Sequence, residues 1–186
     1  GLRFRPEAAA SVLGVDAHEL TDRRIPLDEL WRRPFVEEMS QRFREERTTA
    51  GRLAVVQHCA ATLRSTVGTP DATVQQAISL LAAGPRERVD GLARRLGVSE
   101  RQLRRRFLVS AGYSPKVFHR IVRFQRLLAL ANASAAARFD MLALQAGYAD
   151  QAHMTREVGR FAGVTPSALL GRVESALTLS DLLEET

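Results

Sequence analysis

The chain has 186 residues, of which 45% are apolar and 26% charged, and its formal net charge is +6. No apolar stretch approaches the roughly 20 residues of a membrane-spanning helix, and no secretory signal pattern opens the chain. The single cysteine, Cys59, excludes an internal disulfide and a cysteine-rich metal site. We therefore expect a cytoplasmic protein without cofactor, bound metal or membrane contact.

The positive charge is concentrated in one segment. Residues 86–126 carry twelve Lys and Arg against three acidic residues, a net charge of +9, so the rest of the chain carries −3. An uneven distribution of this kind favours an anionic polymer as the partner over a generally adhesive surface.

The first residues allow a short strand, 2–5, which Pro6 would end. Ile25 is the centre of one weak alternative strand. Because a strand needs partners and few others are present, we expect that the chain begins inside a domain whose earlier part is absent. Short helices punctuated by Gly14 follow.

Two amphipathic helices are predicted next. The first has an apolar stripe at every fourth residue, which predicts a core-facing helix much more readily than an aromatic cofactor site. Its members are Trp31, Phe35, Met39 and Phe43. The second presents Leu53, Val56, Ala60 and Leu63. Together they predict a helical hairpin that serves packing or dimerisation.

Residues 67–73 predict a linker, because Gly68, Pro70 and Asp71 fall close together. Asp71 or Thr73 is placed to cap the helix that follows.

The stretch from Val89 to Phe107 predicts two short helices joined by a tight turn. Gly97 is expected to end the first helix, and Ser99 to cap the second with Gln102 at the capping-box spacing. The second helix is apolar on one face and basic elsewhere, with Arg101, Arg104, Arg105 and Arg106. A short helix, a glycine turn and an arginine-rich helix are typical of a DNA-binding helix-turn-helix.

A further helix is predicted from Pro115 to about residue 131, with Ser114 as its cap. Its polar positions recur three or four residues apart and therefore form one basic stripe. They are Lys116, Arg120, Arg123 and Arg126.

The helix-turn-helix pattern occurs twice. LARRLG at residues 92–97 returns as LALQAG at residues 142–147, and after the turn the offset grows from 50 to 51 residues. The second unit, with Asp150 as its helix cap, differs chemically, and His153 is expected to be a surface or capping residue. The intervening helix of about 17 residues is about 25 Å long, which suits a spacer between successive major-groove turns about 34 Å apart.

Three sequences carry a family resemblance: ARRLGVSERQLRRRF, GYSPKVFHRIVRFQRLLAL and LALQAGYADQAHMTREVGRFAGVTP. In this order they resemble the AraC/XylS family of bacterial transcription regulators, over residues 71–170. The resemblance implies a mainly all-α fold with two helix-turn-helix subdomains joined by a linker helix. It also implies a sequence-specific regulator that inserts two recognition helices into successive major grooves of an asymmetric site.

The resemblance implies roles for individual residues. Those that read bases are Arg101, Arg104 and Arg105 in the first unit and Gln151, Ala152, Thr155 and Arg156 in the second. Those that bind phosphates are Ser99, Lys116, Arg120 and Arg123. The implied partners are double-stranded DNA and, for a homodimer, a second copy of the chain; RNA polymerase is a further expected partner, through an interaction module at residues 27–66.

The predicted domains follow from these segments. Residues 1–66 are the mostly helical C-terminal part of a truncated sensor domain, and 67–73 are the linker. Residues 74–171 form the DNA-binding domain, with helix-turn-helix units at about 89–110 and 141–162, and 172–186 form a closing helix and tail. A small-molecule effector would act through the missing N-terminal part, so we expect no complete ligand pocket in residues 1–66.

Two other functions stay open beside the regulator. One is a DNA-repair enzyme that transfers an alkyl group to cysteine, although Cys59 has no metal-ligand cluster around it and we expect no enzyme activity. The other is a protein-interaction module at residues 27–66 with non-specific DNA binding.

Overall fold

A computed structural model describes residues 3–65, 69–84, 89–133 and 138–171. All regular structure in these ranges is helical, which confirms the predicted all-α fold with two helix-turn-helix units. The α-helices are α1 Pro6–Leu13, α2 Leu27–Leu30, α3 Arg33–Glu45, α4 Thr49–Ser65, α5 Ala72–Ala83, α6 Leu92–Arg95, α7 Glu100–Ala111, α8 Pro115–Ala133, α9 Phe139–Ala146 and α10 Gln151–Ala162. A 3₁₀ helix covers Ala17–Leu20, and residues 166–171 are helical.

The strand considered for residues 2–5 is not present in residues 3–5, and Leu2 lies outside the described residues. Arg5 has extended backbone angles but acts as the N-cap of α1, with Pro6 in the first turn. The segment around Ile25 is irregular as well. With no strand in the described ranges to pair with, extended residues here have no ladder of backbone hydrogen bonds to join.

No helix among the described residues is long and apolar enough to cross a membrane. The predicted closing helix and tail at residues 172–186 lie outside the described residues, as do residues 67 and 68 of the predicted linker. The domain boundaries proposed from the sequence stay predictions.

The chain divides into two compact units. Unit 1 comprises Gly1–Ile78 and Gly91–Pro115, and unit 2 comprises Ser79–Asp90 and Lys116–Thr186. The first helix-turn-helix, α6–α7, belongs to unit 1 and the second, α9–α10, to unit 2. Each unit is built around its own recognition helix.

In unit 1 the N-terminal helices pack directly on α7. Both α1 and the 3₁₀ helix contact it, and the Thr21 hydroxyl donates to the Gly112 carbonyl oxygen at 3.1 Å. Gly112 ends α7 with φ of 78°, and a Cβ there would lie 3.0 Å from the Ala17 carbonyl oxygen. The segment before α2 is therefore part of the same packed unit as the first helix-turn-helix.

The predicted helical hairpin is formed by α3 and α4, which pack together in unit 1. One member of the predicted stripe differs: Trp31 caps the end of α2, whereas Phe35, Met39 and Phe43 lie on α3. Pro34, in the first turn of α3, explains the break, because proline lacks the N–H that would bond to the carbonyl of residue 30 in a continuous helix, and its ring would clash with that carbonyl.

The core of unit 2 is apolar and centred on α9 and α10. Its buried members are Leu127, Leu142, Ala143, Ala146, Tyr148, Met154 and Val158. Phe124 of α8 packs against this core and stacks on Phe161 with ring centroids 5.8 Å apart. The α8 helix thus supports the second recognition helix along one side.

Candidate nucleic-acid interface

The first recognition helix, α7, begins at a complete capping box. The Ser99 hydroxyl accepts the Gln102 backbone N–H at 3.2 Å, and the Gln102 side-chain oxygen accepts the Ser99 backbone N–H at 2.9 Å. Gly97, with φ of 68°, makes the turn after α6. These contacts confirm the capping predicted from the residue spacing, and they fix where α7 starts.

The two faces of α7 differ in burial. Leu103 and Phe107 point into unit 1, with 3% and 0% of their surfaces exposed. The three arginines predicted to read bases, at i, i+3 and i+4 on the helix, are exposed: Arg101, Arg104 and Arg105. None of the three forms an ion pair in the described part of the chain. The structure therefore brings together an unpaired guanidinium face on one turn of helix.

Arg106, next to these arginines in sequence, points toward the start of α5 and keeps 39% of its side chain exposed. Its Nη1 donates to the Thr73 hydroxyl at 2.8 Å and lies 3.5 Å from a carboxylate oxygen of Asp71. Asp71 itself caps α5 by accepting the backbone N–H groups of Thr73 and Val74. Arg106 consequently ties α7 to the start of α5 and is not part of the exposed basic face.

The second recognition helix, α10, begins at an analogous cap. The Asp150 carboxylate accepts the His153 backbone N–H at 2.6 Å, which confirms Asp150 as the N-cap. The His153 ring adds a second bond, because its Nδ1 accepts the Ala149 backbone N–H at 3.2 Å. His153 is thus a capping residue, as the sequence predicts.

The faces of α10 repeat those of α7. Met154 and Val158 are fully buried, and the four residues predicted to read bases are exposed along one side: Gln151, Ala152, Thr155 and Arg156. The Thr155 hydroxyl donates to the Gln151 carbonyl oxygen at 2.9 Å, so its proton is already engaged. This face carries one guanidinium where α7 carries three.

Glu157 lies on the buried side of α10 and is only 7% exposed. Its carboxylate accepts two hydrogen bonds from the Arg123 guanidinium, at 2.8 and 2.9 Å, and lies 3.2 Å from Arg120 Nε. The His153 Nε2 is 3.4 Å away. This cluster, Glu157 with Arg120, Arg123 and His153, joins α10 to α8, and we call it the Glu157 cluster.

The basic stripe predicted on α8 has internal partners along its whole length. Arg123 is 13% exposed and bound to Glu157. Its expected role at phosphate stays a prediction, which this pairing does not favour, because a guanidinium already paired and desolvated gains little from a second anion. Arg120 is 30% exposed and also stacks over Phe161 at 4.8 Å. Lys116 lies 3.6 Å from Asp90 with both side chains exposed, and Arg126 donates to the Ala82 carbonyl oxygen.

Arg106 and Glu157 occupy equivalent positions, 51 residues apart in the repeat. Each precedes a fully buried residue of its recognition helix, Phe107 or Val158, and each binds polar groups of a neighbouring helix. Sequence reasoning missed both tethers. A signal was present, because both are charged residues beside the most buried apolar position of an amphipathic helix.

Ser99 stays accessible although its hydroxyl is used in the cap. It lies at the N-terminus of α7, where the first backbone N–H groups lack intrahelical partners and favour an anion. This position is compatible with the predicted phosphate contact.

Cys59 is half-buried on α4, and burial raises the pKa of its thiol above the ordinary value. A cysteine that accepts an alkyl group needs the opposite change, a lowered thiol pKa near a cation or metal. The position therefore offers no support for the alkyl-transfer alternative.

A family model described as a helix-turn-helix domain matches residues 92–172, from the first residue of α6 to beyond the second recognition helix. No curated protein and no solved structure is similar enough to the chain to indicate a relationship. The match covers both capped helices and both exposed faces described above.

Proposed function

We propose, from the premise that this chain belongs to the AraC/XylS family of helix-turn-helix, DNA-binding transcription regulators, that α7 and α10 both enter the major groove of one asymmetric DNA site. The observation that carries this proposal is the unpaired face of α7, formed by Arg101, Arg104 and Arg105. Such a face has no internal role in the described residues, and its chemistry fits the edges of DNA bases.

The α7 face supplies both attraction and base recognition. An arginine fork donates two hydrogen bonds to O6 and N7 of guanine, a contact that discriminates by about 1–3 kcal/mol. Because Leu103 and Phe107 anchor the opposite side of the helix, the exposed arginines project from a fixed support.

The α10 face refines the choice of sequence. Gln151 has the donor and acceptor that adenine requires, and Arg156 fits guanine. Ala152 offers only a methyl group, which suits contact with the thymine methyl. Since Thr155 donates within its own helix, its oxygen is left as an acceptor.

Phosphate contacts complete the proposal. We assign them to Ser99 at the start of α7, to the exposed Lys116 and to the partly exposed Arg120. These contacts set register and affinity without reading sequence. A second copy of the chain is a proposed partner on the family resemblance, and RNA polymerase is one on the expected interaction module at residues 27–66.

Selection of binding sites from random duplex DNA at near-physiological salt tests the proposal. We expect one asymmetric motif that spans about two helical turns. A motif of half that length would show that α10 holds the backbone only. Enrichment of no motif, with binding that disappears as salt rises, would contradict sequence-specific recognition by this chain.

Two single variants separate the proposed roles. Arg105→Ala is expected to relax specificity at one base step, with a loss of about 1–3 kcal/mol on the selected site. Lys116→Ala is expected to weaken binding to all sequences alike and to reduce the salt slope by about 1. If both variants lost affinity evenly across sequences, the division into base and phosphate contacts would be wrong.

A further inference from the structure

An imidazole closes the turn that leads into α10. The His153 Nδ1 accepts the Ala149 backbone N–H at 3.2 Å, and the Asp150 carboxylate accepts the His153 backbone N–H at 2.6 Å. Both bonds join residues on either side of Gln151 and Ala152, the first two residues of α10. These two residues are assigned to base reading, so the His153 side chain fixes the backbone that presents them.

The direction of the Ala149 bond determines the protonation of the ring. A neutral imidazole has one donor nitrogen and one acceptor nitrogen, whereas an imidazolium has two donors. Since Nδ1 of His153 accepts, the ring proton lies on Nε2, which is 3.4 Å from a carboxylate oxygen of Glu157. A second proton on Nδ1 would face the Ala149 N–H, and two donors cannot share a hydrogen bond. The closed turn therefore requires the neutral ring.

The charged groups of α8 do not favour a positive charge on this ring. Arg123 and Arg120 already hold the Glu157 carboxylate, at 2.8 and 3.2 Å. A cation on His153 would share that one carboxylate with two guanidiniums, because His153 Nε2 lies beside the same carboxylate oxygen as Arg120. Glu157 is thus a partner of the neutral ring that is largely neutralised already.

The groups in the turn complete the surroundings of the ring. The Asp150 carboxylate is engaged with the His153 backbone N–H. The Tyr148 ring lies nearly perpendicular to the imidazole, with centroids 5.6 Å apart, and its phenol stays neutral around pH 7 because burial raises its pKa to about 12. Histidine is the side chain that changes charge between about pH 5 and 8. Protonation in that range opens the Ala149 bond.

The first unit has a different neutral acceptor at the equivalent position. Gln102 lies 51 residues before His153, and its side-chain oxygen accepts the Ser99 backbone N–H at 2.9 Å. Each recognition helix is therefore closed at its start by the side chain of its third residue, an amide in α7 and an imidazole in α10. An amide has no proton to gain in this pH range, whereas an imidazole does.

We propose that His153 is a positioning residue for base recognition by α10. Its neutral imidazole holds Gln151 and Ala152 in place, and its protonation weakens reading of one half of the DNA site. This inference rests on the proposed function, because it assumes that α10 reads bases. It adds a pH dependence confined to the α10 half, where recognition is complete with the neutral ring and declines as pH falls.

Competition binding on the selected motif, at about pH 8 and about pH 5, measures each half separately. Scrambling one half at a time gives the affinity ratio due to that half, and the α10 half is the one whose ratio falls in Arg156→Ala. We expect the α10 ratio to fall about three- to tenfold at the lower pH, the range for one lost hydrogen bond. The α7 ratio is expected to stay constant. Partial unfolding lowers both affinities in a ratio equally, so a merely structural role of His153 would not change it.

Two substitutions separate the acceptor from the charge. His153→Asn keeps a neutral acceptor oxygen at the same number of bonds from the backbone as Nδ1, and is expected to keep the full α10 ratio at both pH values. His153→Leu is the matched variant without an acceptor, and is expected to show the lower ratio at both. The other three histidines of the chain are present in both variants, so a difference between the parent and His153→Asn belongs to His153. Circular dichroism checks that the helices persist at both pH values.

The ring nitrogens give a second readout that needs no DNA. In the chain with isotope-labelled histidine rings, the His153 signals are assigned by their absence from His153→Asn, and nuclear magnetic resonance is expected to place the proton on Nε2 at about pH 8. A proton on Nδ1 at that pH would overturn the inference. A selected motif with equal pH profiles in the parent and His153→Asn fails this inference alone, whereas failure to select any motif contradicts the proposed function and this inference with it.

Discussion

The Glu157 carboxylate is shielded from water by two arginines. Its contribution to the stability of the fold depends on whether those arginines stay paired. Arg123 is 13% exposed, so loss of the carboxylate charge would leave a nearly buried guanidinium without a counter-ion. An exposed pair has no such consequence, because water solvates either partner alone. The Glu157 cluster therefore holds α10 against α8 more strongly than surface ion pairs hold their helices.

We expect Glu157→Gln to lower the free energy of unfolding by about 2–3 kcal/mol, below the range for a fully buried pair because Arg120 is partly exposed. Urea denaturation followed by circular dichroism measures this. Glu37→Gln is the matched control, because Glu37 pairs with Arg33 on an exposed face of α3. That control is expected to change stability by less than about 0.5 kcal/mol, and equal losses in the two variants would contradict a structural role for the cluster.

Tyr148 gives a pH-dependent prediction in the same unit. Burial, and secondarily the Glu157 charge, raise the pKa of its phenol to about 12. Since the folded pKa lies above the ordinary value of about 10, the stability associated with the neutral phenol is complete below pH of about 10 and is lost as pH rises through about 12. Phenolate absorbance in a Tyr113→Phe background follows Tyr148 alone.

Tyr148→Phe checks the sign of this effect. The variant is expected to lose less stability than the parent between pH of about 10 and 12. At neutral pH it is expected to be as stable as the parent or slightly more so, because the Tyr148 hydroxyl is buried without a hydrogen-bond partner in the described ranges. A clear loss at neutral pH would show that the hydroxyl has a partner.

The packing of the N-terminal helices on α7 can be tested by comparing the same substitution at the ends of the two recognition helices. Gly112 and Gly163 end the two recognition helices in the same left-handed conformation, with φ of 78° and 68°. A Cβ at Gly112 would lie 2.7 Å from the Thr21 hydroxyl oxygen and 3.0 Å from the Ala17 carbonyl oxygen. A Cβ at Gly163 would meet nothing within 4 Å.

We expect Gly163→Ala to lower the free energy of unfolding by about 1–2 kcal/mol, because of conformational strain alone. Gly112→Ala is expected to cost at least about 1 kcal/mol more, because the 3₁₀ helix backbone must also shift. Denaturant titrations of both variants measure the difference. Equal costs would mean that the segment around Ala17 does not pack firmly on the end of α7.

The elements themselves were predictable where their causes are local in sequence. The caps at Ser99 and Asp150 depend on groups three residues apart, so spacing alone predicts them. The ion pair between Arg123 and Glu157 joins residues 34 apart and depends on how two helices are rotated, which an apolar pattern specifies only coarsely. The Thr21 contact with Gly112 spans 91 residues and has no local signal.

An apolar cavity of about 520 Å³ between α2, α3 and α4 shows the same limit. The apolar stripe was predicted to face inward, and Met39 is buried and Phe35 half-buried, whereas Phe43 is 41% exposed. Periodicity also cannot tell a filled core from a hollow one. Whether space remains depends on the shapes of the side chains that α2 and α4 bring to it. The direction of the Trp31 ring was also not predictable from the stripe. Trp31 lies at the end of α2 and not on α3, so its direction depends on the break between the two helices.

For the molecule as a whole, the two recognition helices differ in charge. Residues 86–126 carry a net charge of +9, whereas residues 127–171 are neutral. Because DNA is a polyanion, the segment with α7 is expected to supply most of the sequence-independent attraction. The helix α10 is then expected to contribute chiefly through base contacts.

The repeat supplies a matched pair of double variants, because residues 104 and 105 correspond to 155 and 156. Arg104→Ala with Arg105→Ala removes two guanidiniums, whereas Thr155→Ala with Arg156→Ala removes one guanidinium and one hydroxyl at the equivalent positions. If each helix reads its own part of the site, each variant loses preference in a different half of the selected motif, by about 1–3 kcal/mol per lost contact. The α7 variant also loses more affinity for unrelated sequences and shows the shallower salt dependence. Competition binding with motifs scrambled in one half or the other measures both effects. Loss of the same base preferences in both variants would show that the two helices do not read separate halves, and would contradict an asymmetric site read by one chain.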